Sequence, residues 1–415
     1  MTGSAKTQTD IDAAIRKHVQ AHAAQAVDML AALVKVPSDN PPGDCGPHAQ
    51  ATAEQLEMLG FTVERHPVPS ALCQAHGMIA VTNLVVRKRF GAGPTLALNA
   101  HGDVVPPGAG WSEDPYGARI ADGLMYGRGV AVSKSDIVTY AFALLAAEHS
   151  GARLNGSIEL HITYDEETGG EIGPQFLLEQ GISSPALAIG AGFSYAVVNA
   201  HNGCLHLEIE VTGKSAHAAK PWTGVDALEA ATGIMSALYA YRRRLGERVS
   251  SFSQIGSPQL TIGLISGGIN TNVVPDRVVF RLDRRIIPEE NAGAVETELR
   301  GVIETAAHDH AAACVSVQRI LMAEPLRPLP EGAQLTDIVC RRASQLMGEP
   351  IGVSGAPLYT DARHYAAKGI PIVLYGAGPR SIDEANAHRA DERLRLADLS
   401  KATEVIALAM VDLLR

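Results

Sequence analysis

The sequence has no basic cluster, no long apolar run and no paired-cysteine motif. Its 415 residues carry 35 Lys and Arg against 45 Asp and Glu, a formal charge of -10 with a pI near 5.8. That balance argues against nucleic-acid and anionic-membrane partners, each of which needs a basic patch. The first ten residues, Met-Thr-Gly-Ser-Ala-Lys-Thr-Gln-Thr-Asp, lack the apolar core of a signal peptide. No stretch reaches the ~20 apolar residues that span a bilayer, so a cytoplasmic protein is expected. The five cysteines, Cys45, Cys73, Cys204, Cys314 and Cys340, are odd in number and widely spaced, with no CxxC pair or zinc-ribbon spacing. They read as reduced, mostly buried thiols, and none sits in a recognisable nucleophile context.

What is present is apolar material: 46% of the chain is hydrophobic, enough for a large core, and the length suits two or three domains. Residues 11–36 carry apolar positions at helical spacing and end at Pro37. A Pro- and Gly-rich loop and a second helix to about Gly60 follow. Segments 81–86, 95–99 and 158–164 read as strands, and 135–148 as a helix opened by Ser135 or Asp136. This alternation predicts a mostly parallel sheet covered by helices. From about residue 199 the order becomes strand 205–211, helix 225–244, strands 260–264 and 278–282, helix 290–307, strand 314–320. That is the order of a ferredoxin-like sandwich, so residues 199–321 are expected to be an inserted domain between parts 1–198 and 322–415 of the first. The last part has a helix at 334–347, a short strand at 372–375 and a closing helix at 396–414.

Three short segments carry chemistry. His101 and Asp103 are two apart at a strand end, so both side chains point to one face. The histidine can bind a metal there while the aspartate fixes the imidazole tautomer. In Tyr164-Asp165-Glu166-Glu167-Thr168-Gly169-Gly170 a strand runs into a turn with adjacent glutamates. Adjacent side chains diverge, so one carboxylate can ligate metal while the other addresses a water. Tyr375-Gly-Ala-Gly378 is followed by Ala387-His388 and Asp391-Glu392. Any one of these alone is compatible with ordinary surface chemistry.

Together they stand in a longer string: His101-Gly-Asp103-Val-Val-Pro, Trp111, Asp114-Pro115-Tyr116, then Asp122-Gly-Leu-Met-Tyr-Gly127-Arg128-Gly129-Val-Ala-Val132-Ser-Lys134. That string resembles the di-zinc exopeptidase and aminoacylase family. The resemblance implies an α/β fold, a mostly parallel helix-covered catalytic sheet with an inserted ferredoxin-like α+β lid or dimerisation domain. It implies metal-dependent hydrolysis of a carbon–nitrogen bond, with Glu166 as general base, Glu167 and His388 as ligands beside His101, and Asp103 behind them. Two departures stand out. The family's bridging aspartate falls at Val132, and its other carboxylate ligand falls at Ala191. Two divalent ions about 3.5–4 Å apart need bridging anions to offset their repulsion, so one weakly held cation is expected. His101, Glu167 and His388 suit a single zinc, manganese or similar transition metal.

The resemblance also supplies substrate contacts. Gly213-Lys-Ser-Ala-His217-Ala-Ala-Lys-Pro221 is similar to the segment whose histidine crosses a dimer interface to stabilise an oxyanion, which implies a homodimer or higher oligomer. Asn272, in Asn270-Thr-Asn272-Val-Val-Pro275, is similar to a polar lid contact. Arg285, in Asp283-Arg284-Arg285, and Arg363, in Thr360-Asp361-Ala-Arg363, are candidates to grip a carboxylate on a small-molecule substrate, since a planar fork suits that group. Each is equally readable as a structural ion-pair partner. His201, His364 and Tyr365 are candidates to line the same cleft. The run Gly-Arg-Gly-Val-Ala-Val-Ser-Lys-Ser resembles the family's aromatic-amine aminohydrolase branch, acting on 5-nitroanthranilate. An N-acyl-amino-acid or dipeptide hydrolase, and a metal-free binding protein, are the rival readings.

Overall fold

Two mostly buried helices fix the interior of the larger unit. Lys134–His149 and Leu396–Leu414 are buried over most of their surface and pack against each other, as largely apolar helices must. The structure, a computed structural model, describes residues 6–415. The larger unit runs to Asn199 and resumes over Pro328–Ser354 and Thr360–Arg415.

Beside these helices lies an eight-stranded sheet. Its order is Val63–Pro67, Thr82–Arg89, Ser157–Thr163, Thr95–His101, Leu187–Gly190, Ile372–Leu374, Val197–His201 and Val353–Ala356. The four middle strands are mutually parallel, with His101 opposite Thr163, Asn99 opposite Gly190 and Leu374 opposite Gly190. Antiparallel pairs flank them on both sides. The mostly parallel, helix-covered α/β sheet is therefore present, with its parallel character concentrated in the centre. In such a sheet the carboxyl ends of the parallel strands open onto the crevice where ligands bind. His101, Asp165 and Ala191 all lie at that end.

Two expectations need correction, and one element is new. The helix expected over 11–36 is two helices, Gln8–Ala21 and Ala23–Val34, because His22 leaves the helical region at φ -108°, ψ 8°. Neither Ser135 nor Asp136 caps the helix at 134–149. Its N-cap is Ser133, which makes no side-chain capping bond, and Asp136 points its carboxylate at other backbone amides. A small sheet of Arg119–Ala121, Leu124–Tyr126 and Arg393–Arg395 went unforeseen, since three-residue strands are too short to show a period.

The second unit, Ala200–Arg327 with Gly355–Tyr359, has four antiparallel strands in the order Leu260–Gly267, Arg277–Ile286, Gly203–Thr212, Cys314–Ala323. Alternate residues Leu205, Leu207, Ile209 and Val211, with Val278, Phe280 and Leu282, form one core with the helices Ala227–Leu245 and Ala292–His308. Asp226 and Asn291 cap those helices through Leu228, Glu229 and Ala294 amides, a device that satisfies otherwise unpaired donors. No described helix is long and apolar enough to cross a membrane.

One side chain ties three helices of the larger unit. Buried Arg342 bonds Asp412 twice, at 2.7 and 2.8 Å, and Asp12 at 2.9 Å. Arg342→Ala should lower stability by about 2 kcal/mol, the scale of a hydrogen-bonded charge with partly exposed partners, read as the shift of a urea unfolding midpoint. An unchanged midpoint would show that the clamp contributes nothing.

Candidate active site

His101 ends a strand whose backbone is gripped by one hydroxyl. Ser133 Oγ accepts from the His101 amide at 2.9 Å and donates to its carbonyl at 3.0 Å. Imidazole Nδ1 lies 2.9 Å from the Asp103 carbonyl and 3.4 Å from the Asp103 carboxylate. Those acceptors place the proton on Nδ1 and leave the Nε2 lone pair for a cation. Nε2 faces Glu166 Oε2 at 3.9 Å.

Asp103 has no exposure to water. It accepts from Asn40 Nδ2 at 2.9 Å, from the Glu166 amide at 3.3 Å and from the Glu167 amide at 3.2 Å. Asp103 thus meets the imidazole chiefly through its main-chain carbonyl, and its carboxylate pins the turn that carries both glutamates, which sequence reasoning missed. That turn, Glu166–Thr168, closes on two glycines with positive φ. At Gly170 a Cβ would lie 2.3 Å from Asp361 Oδ1, so no other residue fits there without displacing a carboxylate.

Negative charge is crowded here. Burial pushes the Glu166 carboxyl well above its usual range, and Glu167, Asp361 and Asp103 push the same way against the opposing pull of His101. Asp165 is raised by burial and by Asp361 and Asp103, and Asp361 is pushed up to about 7, chiefly by burial. Burial opposes charge on His101, but Glu166, Asp103 and Glu167 outweigh it and raise its pKa. Titratable groups shifted together in this way are common at functional sites. Asp165 and Asp361 were not singled out as members, because neither lies in a spacing that separates it from a solvated acidic turn.

His388, in the left-handed region at φ 60° and largely exposed, places Nε2 3.4 Å from Glu167 Oε1. That carboxylate, first by its hydrogen bond, raises the His388 pKa. The separation is near the edge of a tetrahedral zinc site, about 3.3 Å for N and O donors. Donor atoms of His101, Glu166 and Glu167 lie within 4.8 Å of one another. This donor set, imidazole and carboxylate with surplus negative charge, fits a transition-metal cation.

Both departures fall at the same corner. Val132 precedes Ser133, the residue bonded to His101, and the Ala191 amide bonds the Asn99 carbonyl at 2.8 Å on the same strand. The carboxylate nearest in sequence, Asp136, accepts from Ala377 at 2.7 Å and Gly192 at 3.3 Å. A Cβ at Gly376 would lie 2.0 Å from it. The Gly127-Arg128-Gly129 loop is held by Glu392, which accepts from Arg128 Nη1 at 2.7 Å, the Gly129 amide at 3.1 Å and the Ala131 amide at 3.0 Å. Arg128 also stacks over Trp111.

Of the remaining candidates in this unit, Arg363 is buried with Nη2 donating to the Gly169 carbonyl, and His364 Nε2 contacts the same carbonyl at 2.8 Å. Tyr365 does not line a cleft: it is fully buried and bonded to His161 at 2.7 Å. In the second unit, His201 is buried. His217 and Asn272 are both exposed on loops joined by the Ala218 amide and Asn272 carbonyl at 2.9 Å. Arg285 pairs with Asp283 at 3.1 Å.

Comparison with known proteins shows the fold and the family. A succinyl-diaminopimelate desuccinylase of Gluconacetobacter diazotrophicus is 29% identical over 398 residues, 92% of this chain and 95% of that one. The aminopeptidase PepT of Bacillus cereus shares the fold at TM-score 0.74 and 22% identity, over 95% of this chain and 99% of that one. The metallo-carboxypeptidase Sso-CP2 of Sulfolobus solfataricus does so at 0.76 and 17%, over 93% and 98%. The profile of peptidase family M20/M25/M40 matches residues 97–412, from the strand that carries His101 to the closing helix, and the chain belongs to that family of metal-dependent hydrolases.

Proposed function

We propose that the protein replaces an aromatic amine by hydroxyl on a small carboxylate-bearing substrate of the 5-nitroanthranilate type, using one divalent transition metal. The observation that carries this reading is the joint presence of Val132 and Ala191 at one corner of a site that keeps His101, Glu166, Glu167 and His388. Neither apolar side chain can bind a cation, and a bridged metal pair requires bridging anions.

His101, Glu167 and His388 would hold the cation, manganese or zinc, which when bound supplies Lewis acidity to a water. Glu166, whose Oε2 lies 3.9 Å from His101 Nε2, stands beside the cation position and is the carboxylate to take that proton. The water oxygen forms a bond to the ring carbon and the carbon–nitrogen bond breaks. Glu166 returns the proton to the departing nitrogen, which leaves as ammonia. An electron-poor ring takes up the developing charge itself, so no second cation is called for. Arg285, 32% exposed beside Asp283, and Arg363, buried against the Gly169 carbonyl, are the two candidates to hold a substrate carboxylate.

A second reading, an N-acyl hydrolase with one metal, draws on the full-length similarity to a protein named as a desuccinylase. Turnover of the purified, metal-loaded protein against aminobenzoates and N-acyl-amino acids decides between them. Ammonia release from a nitro-activated aminobenzoate supports the first. Cleavage of acyl-amino acids alone favours the second, and no turnover of either class by a metal-loaded, folded protein points to a binding protein. In the active assay Glu166→Gln should lose about 100- to 10,000-fold in turnover while keeping its metal. Near-normal turnover would remove Glu166 from the mechanism.

Elemental analysis after loading with manganese should give close to one ion per chain, with His388→Ala reducing occupancy. Two such tightly held ions would overturn the single-metal reading.

We further propose that His217 serves the neighbouring subunit of a homodimer. His217→Ala mixed with Glu166→Gln should regain part of the wild-type activity as hybrid dimers with one intact site. If native mass spectrometry shows hybrids and no activity returns, His217 acts within its own subunit or not at all.

A further inference from the structure

The face of the four-stranded sheet turned away from its helices carries a donor cluster that the proposed reaction does not use. Cys204 and His206 are two apart on the strand Gly203–Thr212, so both side chains stand on that face. Asp283, on the neighbouring strand Arg277–Ile286, is the direct register partner of His206. Cys204 Sγ lies 3.7 Å from Asp283 Oδ1, and His206 Nε2 lies 3.2 Å from Asp283 Oδ2. The three donor atoms all fall within 4.8 Å of one another. In a tetrahedral zinc site, with zinc–sulfur near 2.3 Å and zinc–nitrogen or –oxygen near 2.0 Å, neighbouring donors stand about 3.5 Å apart. The cluster is therefore close to coordination geometry before any cation enters. Cys204 is buried, while His206 and Asp283 keep 35% and 30% of their side chains exposed, which gives an ion a way in.

We propose that Cys204, His206 and Asp283 form a second cation site, selective for zinc-class ions, with three protein ligands and one open position. A thiolate with imidazole and carboxylate prefers zinc or cadmium to magnesium or calcium. Binding releases the thiol proton to solvent, with no change of oxidation state. Asp283 Oδ1 is also 3.1 Å from Arg285 Nε, so an entering cation competes with that guanidinium for the carboxylate. If Arg285 grips substrate as proposed above, occupancy of this site alters substrate affinity. The site itself does not depend on that role.

The full-length protein is titrated with cadmium and followed by the ultraviolet charge-transfer absorption of a thiolate–cadmium bond. Donors of the candidate active site are nitrogen and oxygen only, so they give no such signal. One thiolate-bound ion per chain is expected, lost in Cys204→Ser and weakened at least tenfold in His206→Ala and Asp283→Asn. Cys314→Ser, which removes an exposed thiol elsewhere, should leave it unchanged. Circular dichroism checks that each variant is folded, and the partly exposed His206 and Asp283 variants keep the test decisive if Cys204→Ser fails to fold. Absence of the signal, its survival in Cys204→Ser, or its indifference to both His206→Ala and Asp283→Asn would overturn the proposal.

Discussion

A carboxylate shut away from water persists in a fold only if donors surround it, and Asp103 meets that condition by gathering the site around itself. Its oxygens take the Asn40 amide and the backbone amides of Glu166 and Glu167, and its carbonyl and carboxylate both face His101 Nδ1. Three chain segments distant in sequence are thereby fixed to one charge. Losing the charge would leave those donors buried and unmatched, a cost well above that of an ordinary exposed hydrogen bond. The directions of both glutamates and of the imidazole lone pair follow from this one residue.

The corner that carries Val132 and Ala191 is organised differently. Asp136 spans the Gly192 and Ala377 amides. Burial pushes it up to about 7, while those two amides, Ala377 the stronger, pull the other way. Hydrogen bonds to backbone hold the glycine-rich turns together there. The other side, around Glu167 and His388, keeps the imidazole–carboxylate pair suited to coordination.

The larger unit is legible in the sequence where its structure is written locally. His101-x-Asp103 at a strand end, paired glutamates in a turn and a strand–helix alternation each have a short-range period or spacing, and each is found as read. What escaped is long-range. Glu392 meets Arg128 across 264 residues, and Asp361 reaches the glutamate turn only because Gly170 has no side chain to block it. The break at His22 and the capping of the helix at 134–149 depend on one residue's dihedral angles, for which a run of apolar residues gives no signal. Arg363 could be read from its motif as a substrate contact, but the acceptor it meets in the fold, the Gly169 carbonyl, lies 194 residues away.

The Arg128–Glu392 pair and the contact of His388 with Glu167 join side chains that lie more than about 200 residues apart in the sequence. A chain still emerging from the ribosome, with its first 200 residues complete, already carries His101, Asp103 and both glutamates. It has nothing to hold the Gly-Arg-Gly loop and no His388. Site assembly is therefore a late event in synthesis, and a fragment released early would display the acidic turn without the geometry that gives it use.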